Sequence, residues 1–252
     1  MKVSAATDVG LWRQRNEDAY LVKEVAGGWV LAVADGIGGM KGGHLASRMA
    51  VDTLEEWLQR GLPAETPWEY LRQVVLEANR RIYQRGRQLS NPLSAMGTTF
   101  TIGLLWQGIL WMAHVGDSRA YLIREGQIRQ LTQDHSLTGE LVEEGRLEEE
   151  EAMHHPQRNL LTRALGSREF LTVDISRHEL RVGDWILLAT DGLTSLVASK
   201  EILEMVEGME GQPVEALTKE LVEEARRRGG YDNITVAVAR IEEAADLRGR
   251  GG

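Results

Sequence analysis

Four aspartates of this 252-residue chain stand where apolar, strand-like runs end. They are Asp35 in VLAVADGIGG, Asp117 in WMAHVGDSR, Asp191 in WILLATDGL and Asp232 in GGYDNITVAV. Apolar runs of this kind predict buried strands, and a carboxylate is costly to bury unless it is paired, hydrogen-bonded or bound to metal. Carboxylate oxygens suit hard cations such as Mg²⁺ and Mn²⁺. The pattern therefore predicts a fold that brings distant strand ends together around a cation.

Composition narrows the classes of function. The formal net charge of −9 argues against a nucleic-acid partner, because phosphate backbones are bound by basic surfaces. The chain has no cysteine, which excludes disulfides, thiolate nucleophiles and cysteine-based zinc sites. The segment MKVSAATDVG has no apolar signal-peptide region, and no apolar run approaches the roughly 20 residues of a membrane span. We therefore expect a cytoplasmic protein that does not contact a membrane.

The middle of the chain predicts a series of hairpins. Apolar, alternating stretches predict four strands, over residues 98–106, 109–115, 119–124 and 127–131. Gln107-Gly108 and Glu125-Gly126 are tight-turn signals between these strands. Further strands are predicted over residues 29–34, 185–190 and 234–238. Strands joined mostly by hairpins predict antiparallel sheets with helices packed outside them.

Helices are predicted from apolar spacing and from end signals. One helical face is predicted to carry Leu45, Met49, Leu54, Trp57 and Leu58. The tetrapeptide Thr66-Pro67-Trp68-Glu69 matches a capping box with proline at the first helical position. Pro213 is predicted to open a third helix that closes at Gly229. Residues 243–252 are predicted to form a flexible tail.

Six short motifs occur in one order along the chain. They are RxxNED (13–18), ADGIGG (34–39), MGTT (96–99), VGDSR (115–119), TDG (190–192) and DNIT (232–235). In this order they resemble the PP2C or PPM family of metal-dependent protein Ser/Thr phosphatases, and the compact length resembles its bacterial, single-domain branch. Any one motif is weak, but six in order are specific. The resemblance runs from about Val3 to Ile241.

The resemblance implies an α+β fold. In this family two stacked antiparallel β-sheets are flanked by helices in an α-β-β-α sandwich. The phosphatase domain would cover residues 1–242. Residues 134–168 would be the small flap subdomain of bacterial members, carried within that domain.

The resemblance also implies a cluster of Mn²⁺ or Mg²⁺ ions. Asp35 would be shared by two ions, and the Gly36 carbonyl would bind the second. Asp191 and Asp232 would complete the first ion's protein ligands, and Asp117 would bind a third, weaker ion together with Asp191. For each aspartate the alternative is an ordinary turn or turn cap, which is a frequent use of Asp-Gly and Asp-Asn.

Three further roles are implied around these ions. Asp18 is preferred over Glu17 as support for the second ion, largely through water, with a surface acidic pair as the alternative. Arg13 is the expected phosphate clamp, since a guanidinium donates two parallel hydrogen bonds to a phosphoryl group. Some relatives carry a candidate general acid, a histidine, two residues after the shared aspartate, where this chain has Ile37. The acid is therefore unassigned, with a metal-bound water or His44 as candidates.

The implied activity is hydrolysis of phosphoserine and phosphothreonine on proteins by a metal-activated water. Arg13, Asp18 and Asp35 would be the catalytic residues. The expected partners are phosphorylated proteins, substrates of a Ser/Thr kinase, and the expected state is a monomer. Two alternatives are a catalytically silent phosphoprotein-binding module and an enzyme that reverses a single anti-sigma-factor-type switch. The retained aspartates argue against the silent module.

Overall fold

Twelve strands form the centre of the molecule. The computed structural model describes residues 1–38, 42–63, 65–88, 96–148, 151–152, 155–209 and 211–247. The strands are β1 (Lys2–Asp8), β2 (Ala19–Val25), β3 (Gly28–Ala34), β4 (Gly36–Ile37), β5 (Gly97–Thr98), β6 (Phe100–Trp106), β7 (Ile109–Val115), β8 (Arg119–Arg124), β9 (Gln127–Gln130), β10 (Asp174–Glu179), β11 (Trp185–Ala189) and β12 (Ile234–Arg240). Gly39 of the ADGIGG motif lies outside the described residues.

The helices lie between and after these strands. They are α1 (Gly42–Leu58), α2 (Pro67–Arg87), α3 (Leu137–Glu143), α4 (Asp191–Thr194), α5 (Ser199–Gly208) and α6 (Val214–Arg227), followed by a 3₁₀ helix (Ala244–Leu247). Within the described ranges, no helix is both long enough and apolar enough to cross a membrane.

Two five-stranded sheets stack face to face. One has the strand order β1-β12-β11-β8-β9 and the other β10-β7-β6-β3-β2. Paired strands run antiparallel throughout both sheets. Helices α1 and α2 pack on the second sheet, and α5 and α6 pack on the first. The predicted α-β-β-α sandwich is thereby confirmed.

Strand β3 is covered on both faces, which explains its uninterrupted apolar sequence. Val30 and Ala32 face the core under α1 and α2. Leu31 and Val33 point the other way, into the core between the sheets. Because successive side chains of a strand alternate in direction, a strand covered on both faces needs apolar residues at every position.

The predicted hairpins are present as β6 to β9. Gln107 and Gly108 have φ angles of 51° and 74°, and Glu125 and Gly126 have 51° and 71°. Two consecutive positive φ values define the type I′ turn, whose twist matches that of the flanking strands. The first turn sets the register of β7 against β6, which leads the chain into the loop with Asp117, and the second sets the register of β9 against β8 after that loop.

Strand β10 and helix α5 were not among the predicted elements. The sequence of β10 is DISRHE, with no apolar run. It is an edge strand that pairs only with β7 and lies partly exposed, so no buried face marked it. Helix α5 buries only Ile202 and Val206 within the ten-residue stretch, which is too short a pattern to stand out.

Helices α1 and α2 differ in detail from the prediction. The buried face of α1 is built from small residues such as Ala46, Ser47 and Ala50, while Leu45 is exposed. The first turn of the helix approaches its neighbour closely, since a Cβ atom at Gly43 would stand 2.6 Å from the Gly36 carbonyl oxygen, whereas Leu54 and Leu58 are buried as predicted. Thr66 and Pro67 do begin α2, but the Thr66 side chain makes no capping hydrogen bond, so the predicted capping box is absent.

The segment predicted to be a flexible tail includes a short 3₁₀ helix. Residues 244–247 form the 3₁₀ helix, and the Asp246 carboxylate forms an ion pair with the Met1 ammonium group. Leu247 packs on the core between the sheets. The flexibility of residues 243–252 stays a prediction, and residues 248–252 lie outside the described part of the chain.

A glycine lets the loops of Asp191 and Asp232 touch. A Cβ atom at Gly192 would stand 1.9 Å from the carbonyl oxygen of Asn233. No real side chain fits at that distance, so any larger residue forces the two loops apart. Gly192 is thus required by the approach of the backbones.

We expect Gly192→Ala to destabilise the protein by at least about 2 kcal/mol, because overpacking against a fixed backbone forces the structure to shift. Gly208→Ala is the matched control, since a Cβ there meets no atom within 4 Å. Urea unfolding of both variants measures the difference. Equal stabilities of the two variants would contradict the close approach.

Candidate metal centre

The four aspartates at the strand ends line one cavity of about 410 Å³. Asp35 links β3 to β4, and Asp117 links β7 to β8. Asp191 begins α4 directly after β11, and Asp232 stands just before β12. The described lining also includes Arg13, Gln14, Arg15, Glu17, Gly36, Ile37, Gly38, Asn159, Leu161 and Asn233. Every predicted site residue except Asp18 therefore lines the same cavity.

Asp35 is held by the two threonines of the MGTT motif. Its backbone N–H donates to Thr99 Oγ1 at 2.8 Å, and Thr98 Oγ1 donates to its carbonyl oxygen at 2.8 Å. The Thr99 N–H donates to the same carbonyl at 2.9 Å. Thr99 Oγ1 also shares a 2.8 Å hydrogen bond with Ser118 Oγ, next to Asp117. The motif thus fixes the Asp35 backbone relative to the Asp117 loop.

Asn233 ties the loop after β1 to the last strand. Its Oδ1 accepts from the Glu17 N–H at 2.7 Å. Its Nδ2 donates to the carbonyl oxygens of Val9 at 2.9 Å and Arg15 at 3.0 Å. One side chain therefore satisfies three backbone groups of the loop between β1 and β2 and sets the position of this loop beside Asp232.

Asp18 lies behind the cavity. Its Oδ2 accepts hydrogen bonds from Thr235 Oγ1 at 2.6 Å and Thr190 Oγ1 at 2.9 Å. Its Oδ1 is buried without a hydrogen-bond partner. Glu17, the less favoured choice, is the member of the acidic pair that lines the cavity. A contact between Asp18 and a metal stays a prediction.

These hydroxyl groups were missed in the sequence. Thr98 and Thr99 hold Asp35, while Thr190 and Thr235 hold Asp18. A signal was present, because Thr190 directly precedes Asp191 within an otherwise apolar strand end. A buried hydroxyl needs a partner, and a nearby carboxylate is the strongest acceptor.

Arg13 reaches into the aspartate cluster. Its Nη2 lies 2.7 Å from Asp232 Oδ2, and this hydrogen bond raises the pKa of the guanidinium. The side chain is more than half exposed. Arg13 is therefore positioned both to neutralise the cluster and to meet an anion that enters from solvent.

Asp18, Asp35, Asp117 and Asp191 hold raised pKa values. Burial is the largest cause for each, and neighbouring carboxylates add to it. The pKa values of Asp35 and Asp117 stand well above the ordinary range, and that of Asp191 is raised as well. The pKa of Asp18 is raised to about 7. Crowded negative charge is therefore the dominant electrostatic feature of the cavity.

The donor set fits a hard divalent cation. The donors are carboxylate oxygens, and Oδ1 of both Asp18 and Asp191 is buried with no hydrogen-bond partner. Across the described ranges, no three carboxylate, histidine or cysteine side chains are arranged as a ready-made metal site. Arg13 holds Asp232, and the threonines hold Asp18. Binding an ion would therefore require these side chains to rearrange. The oxygens that lack a hydrogen-bond partner would then be available as ligands.

Histidine is absent from the cavity lining that the structure describes. His44 lies on α1 with its Nδ1 buried and without a partner. His114 has a structural role: its ring hydrogen-bonds with Thr101 Oγ1 at 2.9 Å and with the Gln133 carbonyl at 2.9 Å. Burial lowers the pKa of His114 to about 4. A histidine general acid therefore has no support from this geometry.

The metal-free protein is expected to lose part of its stability as the pH rises. Aspartates have an ordinary pKa of about 4, and in the folded state the pKa of Asp18 is about 7. Between these values the folded protein binds more protons than the unfolded chain, so this contribution favours folding at low pH and is lost as the pH rises. Asp35, with its raised pKa, follows the same sign.

Asp35→Asn should therefore raise the free energy of unfolding in EDTA at about pH 7.5 by at least about 1 kcal/mol, since one pKa unit corresponds to about 1.4 kcal/mol. At about pH 4 the effect should be much smaller. Urea unfolding at both pH values measures it, with the exposed Asp52→Asn as control. A gain independent of pH would contradict the repulsion among the carboxylates.

Comparisons with known proteins agree with this geometry. A family model described as protein phosphatase 2C matches residues 13–234. Protein phosphatase PhpP of Streptococcus pneumoniae is 37% identical over 247 residues, which cover 96% of this chain and 98% of that protein. Serine/threonine phosphatase stp of Listeria monocytogenes is 36% identical over 254 residues, which cover 99% of each.

Solved structures show the same fold. The Mycobacterium tuberculosis serine/threonine phosphatase PstP/Ppp matches with a TM-score of 0.86 and 36% identity, covering 96% of this chain and 99% of that chain. The catalytic domain of PstP in complex with two manganese ions matches with a TM-score of 0.84 and 34% identity, covering 96% and 98%. Motifs, fold and relatives agree along nearly the whole length, and the chain belongs to the protein phosphatase 2C family.

Proposed function

We propose that this protein phosphatase 2C hydrolyses phosphoserine and phosphothreonine on proteins at the aspartate cavity, and so reverses the action of a Ser/Thr kinase. The chain is a protein-serine/threonine phosphatase of a metal-dependent family. The observation that carries the proposal is the convergence of Asp35, Asp117, Asp191 and Asp232 with Arg13 on one cavity. Carboxylates bind the cations that phosphoryl transfer needs, and arginine binds the phosphoryl group.

The cavity residues divide the metal-binding roles. Asp35 would be shared by two Mn²⁺ or Mg²⁺ ions, Asp191 and Asp232 would hold one, and the Gly36 carbonyl would hold the other. Asp18 would support that second ion from behind the cavity. Asp117 would hold a third, weaker ion. When bound, such ions supply the Lewis acidity that activates water and offset the charge of the phosphoryl group.

Arg13 binds and orients the phosphoryl group in this proposal. Its guanidinium pairs with Asp232 through one nitrogen, Nη2, and remains largely exposed. A planar guanidinium can offer two parallel donors to a phosphoryl group. Since no histidine is among the described residues of the lining, water entering the open cavity is the proton source for the leaving serine or threonine oxygen.

The flap, residues 134–168, governs the choice of substrate in this proposal. A second cavity of about 290 Å³ adjoins the first and shares Asp117, Asn159 and Asp191 with it. Its lining includes the flap residues Asp134, Ser136, Thr138, Gly139, Val142, Glu143, Ala152 and Arg158. Substrate residues beside the phosphorylated one would meet this wall. We further propose that residues 1–242 form one phosphatase domain and act as a cytoplasmic monomer.

Activity is expected to depend strictly on a divalent metal. Phosphate release from a phosphothreonine peptide should be abolished by EDTA and restored by Mn²⁺, because the cavity offers no alternative nucleophile or electrophile of comparable strength. Asp191→Ala should reduce turnover to near background at any Mn²⁺ concentration. The exposed Asp52→Ala is the matched control and should behave as the wild type. Full turnover after exhaustive chelation would refute the proposal.

Arg13→Ala should weaken phosphate binding more than chemistry. A charge-assisted hydrogen bond contributes about 1.5–3 kcal/mol, so KM should rise roughly tenfold to a hundredfold, with a smaller loss in kcat. Arg13→Lys keeps the positive charge but lacks the planar pair of N–H donors, so its KM should lie between those of the wild type and Arg13→Ala. Arg72→Ala, which removes an exposed arginine paired with Glu69 on α2, is the control. An unchanged KM in Arg13→Ala would assign this arginine to the surface.

A further inference from the structure

Three large apolar side chains stand exposed beside the aspartate cavity. Trp12 is 71% exposed, Leu11 58% and Tyr231 56%. Trp12 directly precedes Arg13, and Tyr231 directly precedes Asp232. The two loops joined by the Arg13–Asp232 ion pair therefore also present an apolar surface, which we call the aromatic lip (Leu11, Trp12 and Tyr231).

The aromatic lip is held in a defined arrangement. The rings of Trp12 and Tyr231 lie 6.0 Å apart between centroids, at an angle of 39°. Trp12 Nε1 donates to the Gly229 carbonyl at 3.1 Å, and the Leu11 N–H donates to the Gly230 carbonyl at 2.8 Å. The polar atom of the indole is thus satisfied within the protein. What remains toward solvent is mainly apolar surface.

The fold does not require these residues to be apolar. None of the three belongs to the core clusters of buried residues or packs against them. An exposed group of large apolar side chains on a soluble domain marks an interaction surface more often than chance. Aromatic side chains are also the residues that contribute most to binding when they are covered.

The position of the lip identifies its occupant. Arg13 and Asp232 line the cavity, and consecutive Cα atoms lie only 3.8 Å apart. A polypeptide whose phosphorylated side chain enters the cavity advances about 3.3 Å per residue when extended. Its residues a few positions away are therefore within reach of Trp12 and Tyr231.

Other occupants fit less well. A stable dimer contact buries about 800 Å² per partner, whereas a fully buried aromatic side chain supplies about 150–250 Å². Three side chains that are already partly covered fall short of that area. The net charge of −9 opposes binding to an anionic membrane surface.

We propose that the aromatic lip binds an apolar side chain of the substrate polypeptide within about three residues of the phosphorylated one. This specificity site rests on the proposed phosphatase function. It predicts a preference for phosphopeptides with leucine or phenylalanine near the phosphothreonine over peptides with serine at the same positions.

The test compares two phosphothreonine peptides that differ only in these flanking residues, with free phosphothreonine as a third substrate. The wild type should favour the apolar peptide by about tenfold in kcat/KM, since covering one such side chain is worth at least one decade of affinity. The double variant Trp12→Ala/Tyr231→Ala should bring this ratio close to one through KM. Its rate on free phosphothreonine should stay unchanged.

Two further variants separate recognition from folding. Trp12→Phe keeps an apolar ring without the indole N–H and should retain most of the preference. Phe170→Ala removes an aromatic side chain that is 84% exposed and outside the described lining of the aspartate cavity, and it should change nothing. Leu11→Ser replaces the double variant if circular dichroism shows the latter unfolded.

The outcomes are distinguishable. The proposed role of the aromatic lip would be refuted if the wild type hydrolysed both peptides at equal rates, or if the double variant kept the preference. Either result would leave the phosphatase function intact. Absence of hydrolysis for all three substrates with Mn²⁺ would overturn the phosphatase function and the lip with it. A wild-type dimer in sedimentation that the double variant abolishes would assign the lip to self-association instead.

Discussion

Electrostatic repulsion among partly buried carboxylates is the interaction that the rest of the site has to offset. Burial, and after it the charge of neighbouring carboxylates, raises the pKa values of Asp35, Asp117 and Asp191. Two covered sheets keep them at fixed strand ends, so they cannot separate to relieve the strain. The hydroxyls of Thr190 and Thr235 on Asp18 and the guanidinium of Arg13 on Asp232 offset part of it. Oδ1 of Asp18 and Oδ1 of Asp191, which are buried without a hydrogen-bond partner, are available to bind a cation.

The site therefore has a rigid floor and a more variable rim. The floor comes from strand ends whose backbones are fixed by ladder hydrogen bonds and by the hydroxyls of Thr98 and Thr99. The rim comes from the flap and from the two loops that carry Trp12 and Tyr231. Chemistry needs atoms held to fractions of an ångström, whereas recognition tolerates replacement of side chains. The fold places each requirement on the kind of structure that meets it.

Sequence patterns predicted the parts that local chemistry decides. Apolar runs ending in aspartate identified β3, β11 and the cavity, and paired turn residues identified the hairpins β6 to β9. Tertiary packing decided the rest. Whether Glu17 or Asp18 faces the cavity depends on two threonines brought close from 172 and 217 residues away. The edge strand β10 lacks the apolar pattern because only part of it is covered.

The position of β12 in its sheet determines how late during folding the aspartate cavity can assemble. β12 lies between β1 and β11 and pairs with both, so among the described strands β1 has no partner in its sheet until β12 has been synthesised. Asn233, at the start of β12, also fixes the loop that carries Glu17. Pairing over such sequence separation is slow. The loop that carries Arg13 and Glu17 therefore takes its place beside Asp232 only when β12 has joined the sheet.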